Sequence, residues 1–184
     1  GLEPVRMAVN ISGRQLDDPN FVDVVEETLQ AAGLEPQALE VELTESMIMT
    51  DSDRPVAALT AVREMGVHLS LDDFGTGYSS LTRLRRLPLD RLKIDRSFVK
   101  DLPEDHDDAI ITRAIIAMGR SLGLQVVAEG VETAEQLELL ANEGCHEAQG
   151  YLISKPKPSE ELVPMLAQKR VSIGHLAAIE DDVA

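Results

Sequence analysis

The sequence is poor in aromatic residues, cysteine and positive charge. Its 184 residues include one cysteine, no tryptophan, two tyrosines and three phenylalanines. A single cysteine excludes an internal disulfide, and so few aromatic side chains exclude extensive stacking on nucleic-acid bases. The formal net charge of -16 disfavours a nucleic-acid polymer as partner, because such binding requires cationic side chains that displace counterions. A small phosphate ester is compatible with this charge where metal ions offset it.

The sequence also lacks a membrane-spanning run, a leader and a zinc motif. No stretch approaches the ~20 apolar residues of a transmembrane helix, and no basic and apolar leader opens the chain. The four histidines, His68, His106, His146 and His175, show no zinc-type spacing with Cys145. We therefore expect a cytoplasmic protein without direct membrane insertion, and any membrane tether would belong to a region outside this sequence.

Short apolar runs alternate with helical patterns along most of the chain. Such repeated strand and helix units favour an α/β fold with a parallel sheet. About six strands are predicted in this way. The runs interpreted as strands are Val5–Val9, Leu39–Leu43, Val67–Leu71, Arg91–Ile94, Leu124–Ala128 and Ala148–Ile153.

Helix boundaries follow from capping residues. Asp18 and Pro19 open a predicted helix that Gly33 closes, and a Thr133–Gln136 capping box opens another that Gly144 closes. The length favours a single domain over residues 1–170, followed by an acidic tail over residues 171–184. Further helices are predicted over Arg54–Met65, Asp107–Leu122 and Glu160–Gln168.

A polar or charged residue stands at or just after the end of nearly every predicted strand. In a β/α barrel these carboxyl-terminal strand ends meet on one face, so residues distant in sequence form one site. Taken singly, the amides in this series are equally compatible with ordinary turns. The series consists of Asn10, Glu42, Asp72, Lys93, Glu129 and Gln149.

The segment that begins at Asp72 and Asp73 is the most informative. Two adjacent carboxylates repel each other unless cations offset their charge, and they lead directly into a turn that contains Gly75 and Gly77. An ordinary helix-capping pair is the structural alternative. The apolar run before Asp72 instead directs both carboxylates towards the barrel mouth.

Other acids and one lysine have competing interpretations. Of Glu42 and Glu45, one could coordinate metal while the other holds a neighbouring loop, and a solvated acidic loop is the alternative. Lys93 lies in an apolar strand, where a buried ammonium requires acids or phosphate, and a structural pair with Asp95 is the alternative. Glu129 emerges from a strongly apolar strand, which is a poor place for a carboxylate without a partner.

The donor atoms in this series are carboxylate and amide oxygens. Without a thiolate or histidine cluster, such donors favour Mg²⁺ or Mn²⁺ over structural zinc. The number of acids is compatible with two ions. Paired metals can polarise a phosphate, activate a bridging water and neutralise the leaving oxygen.

Six segments resemble, in the family's order, the signature series of EAL-type cyclic di-GMP phosphodiesterases. They are VNIS, ELTES, DDFGTGYSSL, LKIDRSFV, VAEGVET and AQGYLISKP, and the resemblance covers roughly Val5 to Pro158. It implies metal-dependent hydrolysis of cyclic di-GMP to linear pGpG in bacterial signalling. It also implies a preceding regulatory or cyclase domain in the full-length protein, and it leaves a homodimer open.

The resemblance also implies roles for individual residues. The implied metal ligands are Asn10, Glu42, Asp72 and Asp73. Glu129 would be a further ligand or the base that acts on the hydrolytic water, and Lys93 would orient that water or stabilise charge. The implied supporting residues are Glu45, which anchors the loop that begins at Asp73, together with Asp95, Glu132 and Gln149.

The sequence departs from the family pattern at one point. The family's Glu-Ala-Leu motif, whose glutamate ligates metal, is absent, and the chain begins just before the VNIS segment. The resemblance implies a TIM-like (β/α) barrel that is incomplete here, with about six parallel strands. We therefore expect an open arc of six strands and weak hydrolysis by this chain alone. A binding module is the first functional alternative, in the form of a catalytically silent domain that binds cyclic di-GMP or docks a partner. A metal-dependent barrel that uses Lys93 as a base on a carbonyl substrate is the second.

Overall fold

The computed structural model describes residues 5–48, 54–77 and 81–167. The described chain divides into two compact units, one ending at Leu92 and the other beginning at Lys93. Six strands follow one another in chain order in the sheet, and the fourth contributes residues to both units. Within these ranges, every helix is too short or too polar to cross a membrane.

The first unit alternates strands with helices. Its elements are β1 (Met7–Asn10), α1 (Gly13–Leu16), α2 (Phe21–Ala32), a 3₁₀ turn (Pro36–Ala38), β2 (Leu39–Thr44), α3 (Glu45–Ile48), α4 (Arg54–Glu64), β3 (His68–Phe74), α5 (Leu81–Leu84) and the start of β4 (Arg91–Ile94). β2 pairs in parallel with β1 on one side and with β3 on the other. This order requires each strand to return through a helical crossover.

Alternate side chains of β2 and β3 form the apolar core of the first unit. Val41, Leu43, Leu69 and Leu71 are almost completely buried. Since successive side chains in a strand point to opposite faces, these four occupy one face and leave the other to Glu40, Glu42, Ser70 and Asp72. The helical side chains that are buried in this unit include Phe21, Val25 and Leu29 of α2 and Leu59 and Val62 of α4.

A charge network lies near the starts of these strands. Glu40 is buried, and its carboxylate lies 3.3 Å from Arg6 and 3.6 Å from Arg91. Asp90 accepts a hydrogen bond from the backbone of β3 and lies 3.7 Å from His68. Burial, aided by Arg6, lowers the pKa of His68, which Asp90 only partly opposes. These groups connect strand starts, where polar residues of parallel barrels serve stability.

β1 differs from the other strands of its unit because all four of its residues are exposed. Met7 and Val9 retain 62% and 44% of their accessible surface, whereas Val41, opposite Val9 on β2, retains 2%. Because Met7 and Val9 are two residues apart, they lie on the same side of the pleat, and this apolar side of β1 is in contact with solvent. This is the least protected strand of the first unit.

The second unit has the same alternation. Its elements are the end of β4, a 3₁₀ turn (Arg96–Phe98), α6 (His106–Ser121), β5 (Gln125–Glu129), α7 (Ala134–Asn142), β6 (Glu147–Gln149) and α8 (Ser159–Ala167). β5 and β6 pair in parallel. Ile115 and Ile116 of α6 and Leu137 and Leu140 of α7 are buried, as are Val126 and Ala128 of β5.

The turn before β6 is fixed by side chains that contact the backbone of Val126. The Nδ1 atom of His146 accepts a hydrogen bond from Val126 N–H at 2.9 Å, while His146 N–H donates to Val126 O at 3.1 Å. The thiol of Cys145 lies 3.4 Å from the same carbonyl oxygen. Burial raises the pKa of Cys145 to about 11, so this residue is a protonated structural thiol at neutral pH.

The predicted α/β fold with six parallel strands is confirmed. The Gly33 stop of α2 and the Thr133–Gln136 capping box of α7 are also confirmed. The sixth strand was predicted too long, because β6 ends at Gln149 and residues 150–153 form a turn. The prediction of one domain over residues 1–170 stays a prediction, and the acidic tail lies outside the described residues.

Candidate functional site

In the first unit, three of the predicted ligands lie on one face of the sheet. Asn10 is directly opposite Glu42 across β1 and β2, and Thr44 is directly opposite Asp72 across β2 and β3. Glu42 and Thr44 are two residues apart, so they point to the same side of the pleat. Asn10, Glu42 and Asp72 therefore share a face near the carboxyl ends of their strands.

The strand ends themselves differ slightly from the prediction. Asn10 ends β1, but β2 continues for two residues beyond Glu42, and β3 continues for two residues beyond Asp72. Glu42 is 8% exposed, which is unusual for a carboxylate. It has an electrostatic or hydrogen-bonding partner in the described chain. Glu42 lies between Val41 and Leu43 in β2, and all three residues are buried.

Asp73 adopts an uncommon backbone conformation. Its φ is 54°, which is the only positive φ of a non-glycine residue in the described ranges. Its N–H donates to the Asp72 carboxylate at 3.1 Å, and its carbonyl oxygen accepts from the hydroxyl of Thr76 at 3.0 Å. Left-handed conformations are tolerated by aspartate better than by most residues but still cost energy. Their occurrence at an acid pair is typical of functional sites.

Glu45 fastens the loop that follows Asp73. One of its carboxylate oxygens accepts hydrogen bonds from the N–H groups of Gly75 and Gly77, each at 3.3 Å. Glu45 is 4% exposed, and a β-carbon at Gly77 would lie 2.7 Å from its other oxygen. Glycine at position 77 therefore permits the close approach. Tyr78 and the two serines that follow lie outside the described residues.

In the second unit, Lys93 contacts Glu129. The Nζ atom of Lys93 lies 2.7 Å from Oε1 of Glu129, and the lysine side chain is 7% exposed. A buried ammonium close to a carboxylate avoids the large desolvation penalty of an isolated charge. Asp95 instead caps the following 3₁₀ turn, since its side chain accepts from the N–H and the hydroxyl of Ser97. The structure thus shows Lys93 paired with Glu129.

Gln149 lies opposite Glu129 in the register of β5 and β6. Its side chain is exposed, and its backbone carbonyl accepts from Val131 N–H at 3.0 Å. Glu132 forms an ion pair with Arg96, in which Oε1 of the glutamate lies 2.6 Å from a guanidinium nitrogen of the arginine. The second unit therefore brings together Lys93, Glu129 and Gln149 and places Glu132 three residues beyond Glu129.

Sequence reasoning missed two residues of this region. Arg96 lies across Gly130, and Gln136 accepts hydrogen bonds from the N–H groups of Glu132 and Thr133. Gln136 was recognisable as a capping residue, but its contact with the loop after β5 was not. Arg96 had no sequence signal beyond its place in the LKIDRSFV segment.

The donor set fits hard divalent cations. Asn10, Glu42, Asp72 and Asp73 offer amide and carboxylate oxygens in the first unit, and Glu129 offers a carboxylate in the second. Mg²⁺ and Mn²⁺ prefer such oxygen ligands. The chemistry of these side chains therefore matches the metal ions expected from the sequence.

Parallel strands that alternate with helices define an α/β protein, and the oxygen donors described above lie near the carboxyl ends of its strands. The chain belongs to the EAL domain family, whose model matches residues 2–156.

Two curated relatives come from Pseudomonas aeruginosa. The bifunctional diguanylate cyclase/cyclic di-GMP phosphodiesterase MucR is 48% identical over 161 residues, which are 88% of this chain and 24% of MucR. The cyclic di-GMP phosphodiesterase NbdA is 49% identical over 170 residues, which are 92% of this chain and 22% of NbdA. The chain therefore spans less than a quarter of the length of these relatives.

Solved structures show the same fold. The MucR phosphodiesterase in complex with c-di-GMP has a TM-score of 0.82 and 49% identity, and the match covers 85% of this chain and 64% of that chain. The manganese/cy-diGMP complex of BlrP1 from Klebsiella pneumoniae has a TM-score of 0.75 and 36% identity, with 82% of this chain and 39% of that chain covered. The TIM-like fold expected from the sequence agrees with these neighbours.

Proposed function

We propose that this chain carries the active-site residues of a metal-dependent phosphodiesterase that hydrolyses cyclic di-GMP to linear pGpG. The contact that carries the proposal is the ion pair between the buried Lys93 and the half-buried Glu129, whose Nζ and Oε1 atoms are 2.7 Å apart. A carboxylate beside a lysine at a strand end suits a group that handles the proton of an attacking water. The names of MucR and NbdA support cyclic di-GMP as the substrate.

Divalent metal ions, Mg²⁺ or Mn²⁺, are part of this proposal. Asn10, Glu42, Asp72 and Asp73 would hold them, and Glu129 would be a further ligand or the base. When bound, paired ions polarise the phosphodiester and lower the pKa of water. The manganese complex of BlrP1 supports this choice, and two ions match the number of acids.

The remaining residues orient or support the metal ligands and Glu129. Lys93, beside the Glu129 carboxylate, orients the hydrolytic water or stabilises charge. Glu45 holds the loop after Asp73 in place through two backbone N–H groups. The residues that support the loops around the site are Asp95, Glu132 and Gln149.

The proposal extends to the setting of the chain. The two functions in MucR's name support a larger protein that combines this chain with a cyclase or another regulatory domain. A cytoplasmic location and a homodimer remain predictions. Light scattering of the purified chain at several concentrations tests the dimer directly.

The decisive experiment is an assay with cyclic di-GMP and either Mn²⁺ or Mg²⁺. Chromatography of the products should show pGpG, and chelation of the metal should abolish its formation. Calorimetric titration with cyclic di-GMP in the presence of Ca²⁺ separates binding from turnover. Binding by the full-length protein without any hydrolysis would favour a silent cyclic di-GMP sensor and contradict the proposal.

A further inference from the structure

The loop that follows β5 begins immediately after Glu129, and its first residue is covered by Arg96. Gly130 has a φ of 70°, and a β-carbon added to it would lie 2.2 Å from Cγ and 2.7 Å from Cδ of Arg96. The aliphatic stem of the arginine therefore packs directly on the glycine backbone. Its guanidinium continues beyond the glycine to Glu132, where the two charged groups are 2.6 Å apart.

The next residue of the loop is held from β6. Val131 N–H donates to Gln149 O at 3.0 Å, and Val131 O accepts from Leu152 N–H at 3.1 Å. A β-carbon on Gly150 would lie 2.1 Å from Val131 O. The backbone of Val131 is thus in close contact with the chain that leaves β6, while Gly130 is in close contact with Arg96.

The end of the loop is fixed by Gln136. Its side-chain oxygen accepts from the N–H groups of Glu132 and Thr133 at 2.7 and 3.1 Å. Its side-chain nitrogen donates to Lys100 O at 3.0 Å, and Gln136 is only 2% exposed. These contacts anchor the part of the loop that follows Val131. Gly130 precedes these anchored residues, and the stem of Arg96 packs on it.

We propose that Arg96 is a positioning residue that sets the direction of the Glu129 side chain through Gly130 and Glu132. This inference rests on the proposed function, in which Glu129 acts on the reaction. Glycine has wide backbone freedom, so the peptide after Glu129 needs an external restraint. The stem of Arg96 supplies that restraint, and its ion pair with Glu132 keeps the stem in place.

A positioning role of Arg96 has different consequences from a role as a surface ion pair or as a direct contact with the substrate. The side chains of Arg96 and Glu132 are 59% and 42% exposed, and ion pairs this exposed contribute little to global stability. A surface ion pair alone would leave catalysis unchanged. A direct contact between Arg96 and a substrate phosphate would weaken substrate binding. Misdirection of Glu129 lowers kcat and leaves KM and the melting temperature nearly unchanged.

The experiment compares Arg96→Met, Arg96→Lys, Glu132→Gln and the Arg96→Met/Glu132→Gln double variant in the full-length protein. Arg113→Met is the matched control, because Arg113 forms a similar exposed ion pair with Glu143 at 2.7 Å in the same unit. We expect Arg96→Met to lower kcat by about 10- to 100-fold, as loss of supporting contacts does in metal sites. Arg96→Lys should retain part of the rate, and the double variant should be no slower than Arg96→Met.

Several results would overturn the inference. A raised KM with unchanged kcat would make Arg96 a substrate contact, and a loss no larger than that of Arg113→Met would make the pair an ordinary surface contact. Additive effects of Arg96→Met and Glu132→Gln would show that the two residues act independently.

Hydrogen exchange tests the same inference without turnover. Arg96→Met should accelerate exchange of the amides of Val131 and Glu132 relative to Arg113→Met in the 184-residue chain. If the wild-type protein shows no hydrolysis but this difference is present, the proposed function fails while the restraint by Arg96 stands. Equal exchange in the two variants contradicts the restraint whatever the activity.

Discussion

The Nζ atom of Lys93 lies 2.7 Å from Oε1 of Glu129, at the ends of β4 and β5. The lysine is buried, and the glutamate belongs to a strand whose preceding residues are almost completely apolar. Each charge therefore depends on the other for a favourable environment. Changes to either residue should therefore affect the reaction.

Glu129→Gln should nearly abolish hydrolysis and preserve the fold. The amide has the shape of the carboxylate but lacks its charge and basicity. Loss of a general base lowers rates by on the order of 10²- to 10⁴-fold. Turnover of cyclic di-GMP and circular dichroism measure the two effects, with Glu143→Gln at an exposed ion pair as the control. Near-normal turnover would remove Glu129 from the reaction.

Lys93→Met should reduce activity strongly, because it leaves the Glu129 carboxylate without its ammonium partner. The lost pair also lowers the free energy of unfolding, by less than the roughly 3–5 kcal/mol that breaking a fully buried ion pair costs, because the Glu129 side chain is 19% exposed. Lys100→Met is the control, since the pair of Lys100 with Asp101 is exposed. Kinetics and urea unfolding report both effects. Equal stability and activity in the two variants would contradict the assigned role of Lys93.

Glu45→Gln should loosen the loop after Asp73. The carboxylate accepts from two backbone N–H groups, and a neutral amide is a weaker acceptor in this buried position. We expect a loss of about 1–3 kcal/mol in the free energy of unfolding, together with weaker Mn²⁺ binding. Glu64→Gln, at the exposed end of α4, is the control for loss of a negative charge. Unchanged metal affinity would separate Glu45 from the site.

The buried thiol of Cys145 should cause the free energy of unfolding to decline at alkaline pH. Burial raises its pKa from an ordinary value of 9.0 to about 11. The unfolded chain loses the thiol proton at a lower pH than the folded chain. The contribution of Cys145 to the free energy of unfolding is therefore complete below about pH 9 and is lost as pH rises towards 11. Urea unfolding across this range should show a steeper decline for the wild type than for Cys145→Ala. Parallel pH curves for the two proteins would contradict the shift.

The 184-residue chain on its own should hydrolyse cyclic di-GMP poorly. Its sequence contains no Glu-Ala-Leu tripeptide, and all four residues of β1 are exposed. An exposed apolar strand weakens the framework on which Asn10 is placed. The measurement is metal-dependent turnover beside that of the MucR phosphodiesterase under the same conditions. Comparable rates would overturn this prediction.

Local signals in the sequence predicted much of the fold. Gly33 and the Thr133–Gln136 capping box marked helix ends because their effect depends on residues a few positions away. The strand over Ala148–Ile153 was predicted too long, because an apolar run resembles a strand even where Gly150 begins a turn. Apolar periodicity alone does not distinguish the two.

The candidate site was predictable to the level of residue type and strand position. The register that places Asn10 opposite Glu42 follows from parallel pairing of consecutive strands. The contact of Arg96 with Gly130 was not predictable, because it joins two loops 34 positions apart in sequence through a backbone conformation that no motif encodes. Non-local packing of this kind becomes visible only in three dimensions.

At Asp73, the left-handed backbone makes the residue type that best suits the fold different from the one that best suits the proposed metal site. Glycine would adopt a φ of 54° without strain, whereas aspartate gives up about 1 kcal/mol or more to do so. Selection for a more robust fold would therefore favour glycine at position 73, and selection for the proposed metal binding would favour aspartate. Variant libraries sorted by thermal resistance and by turnover should diverge at this residue.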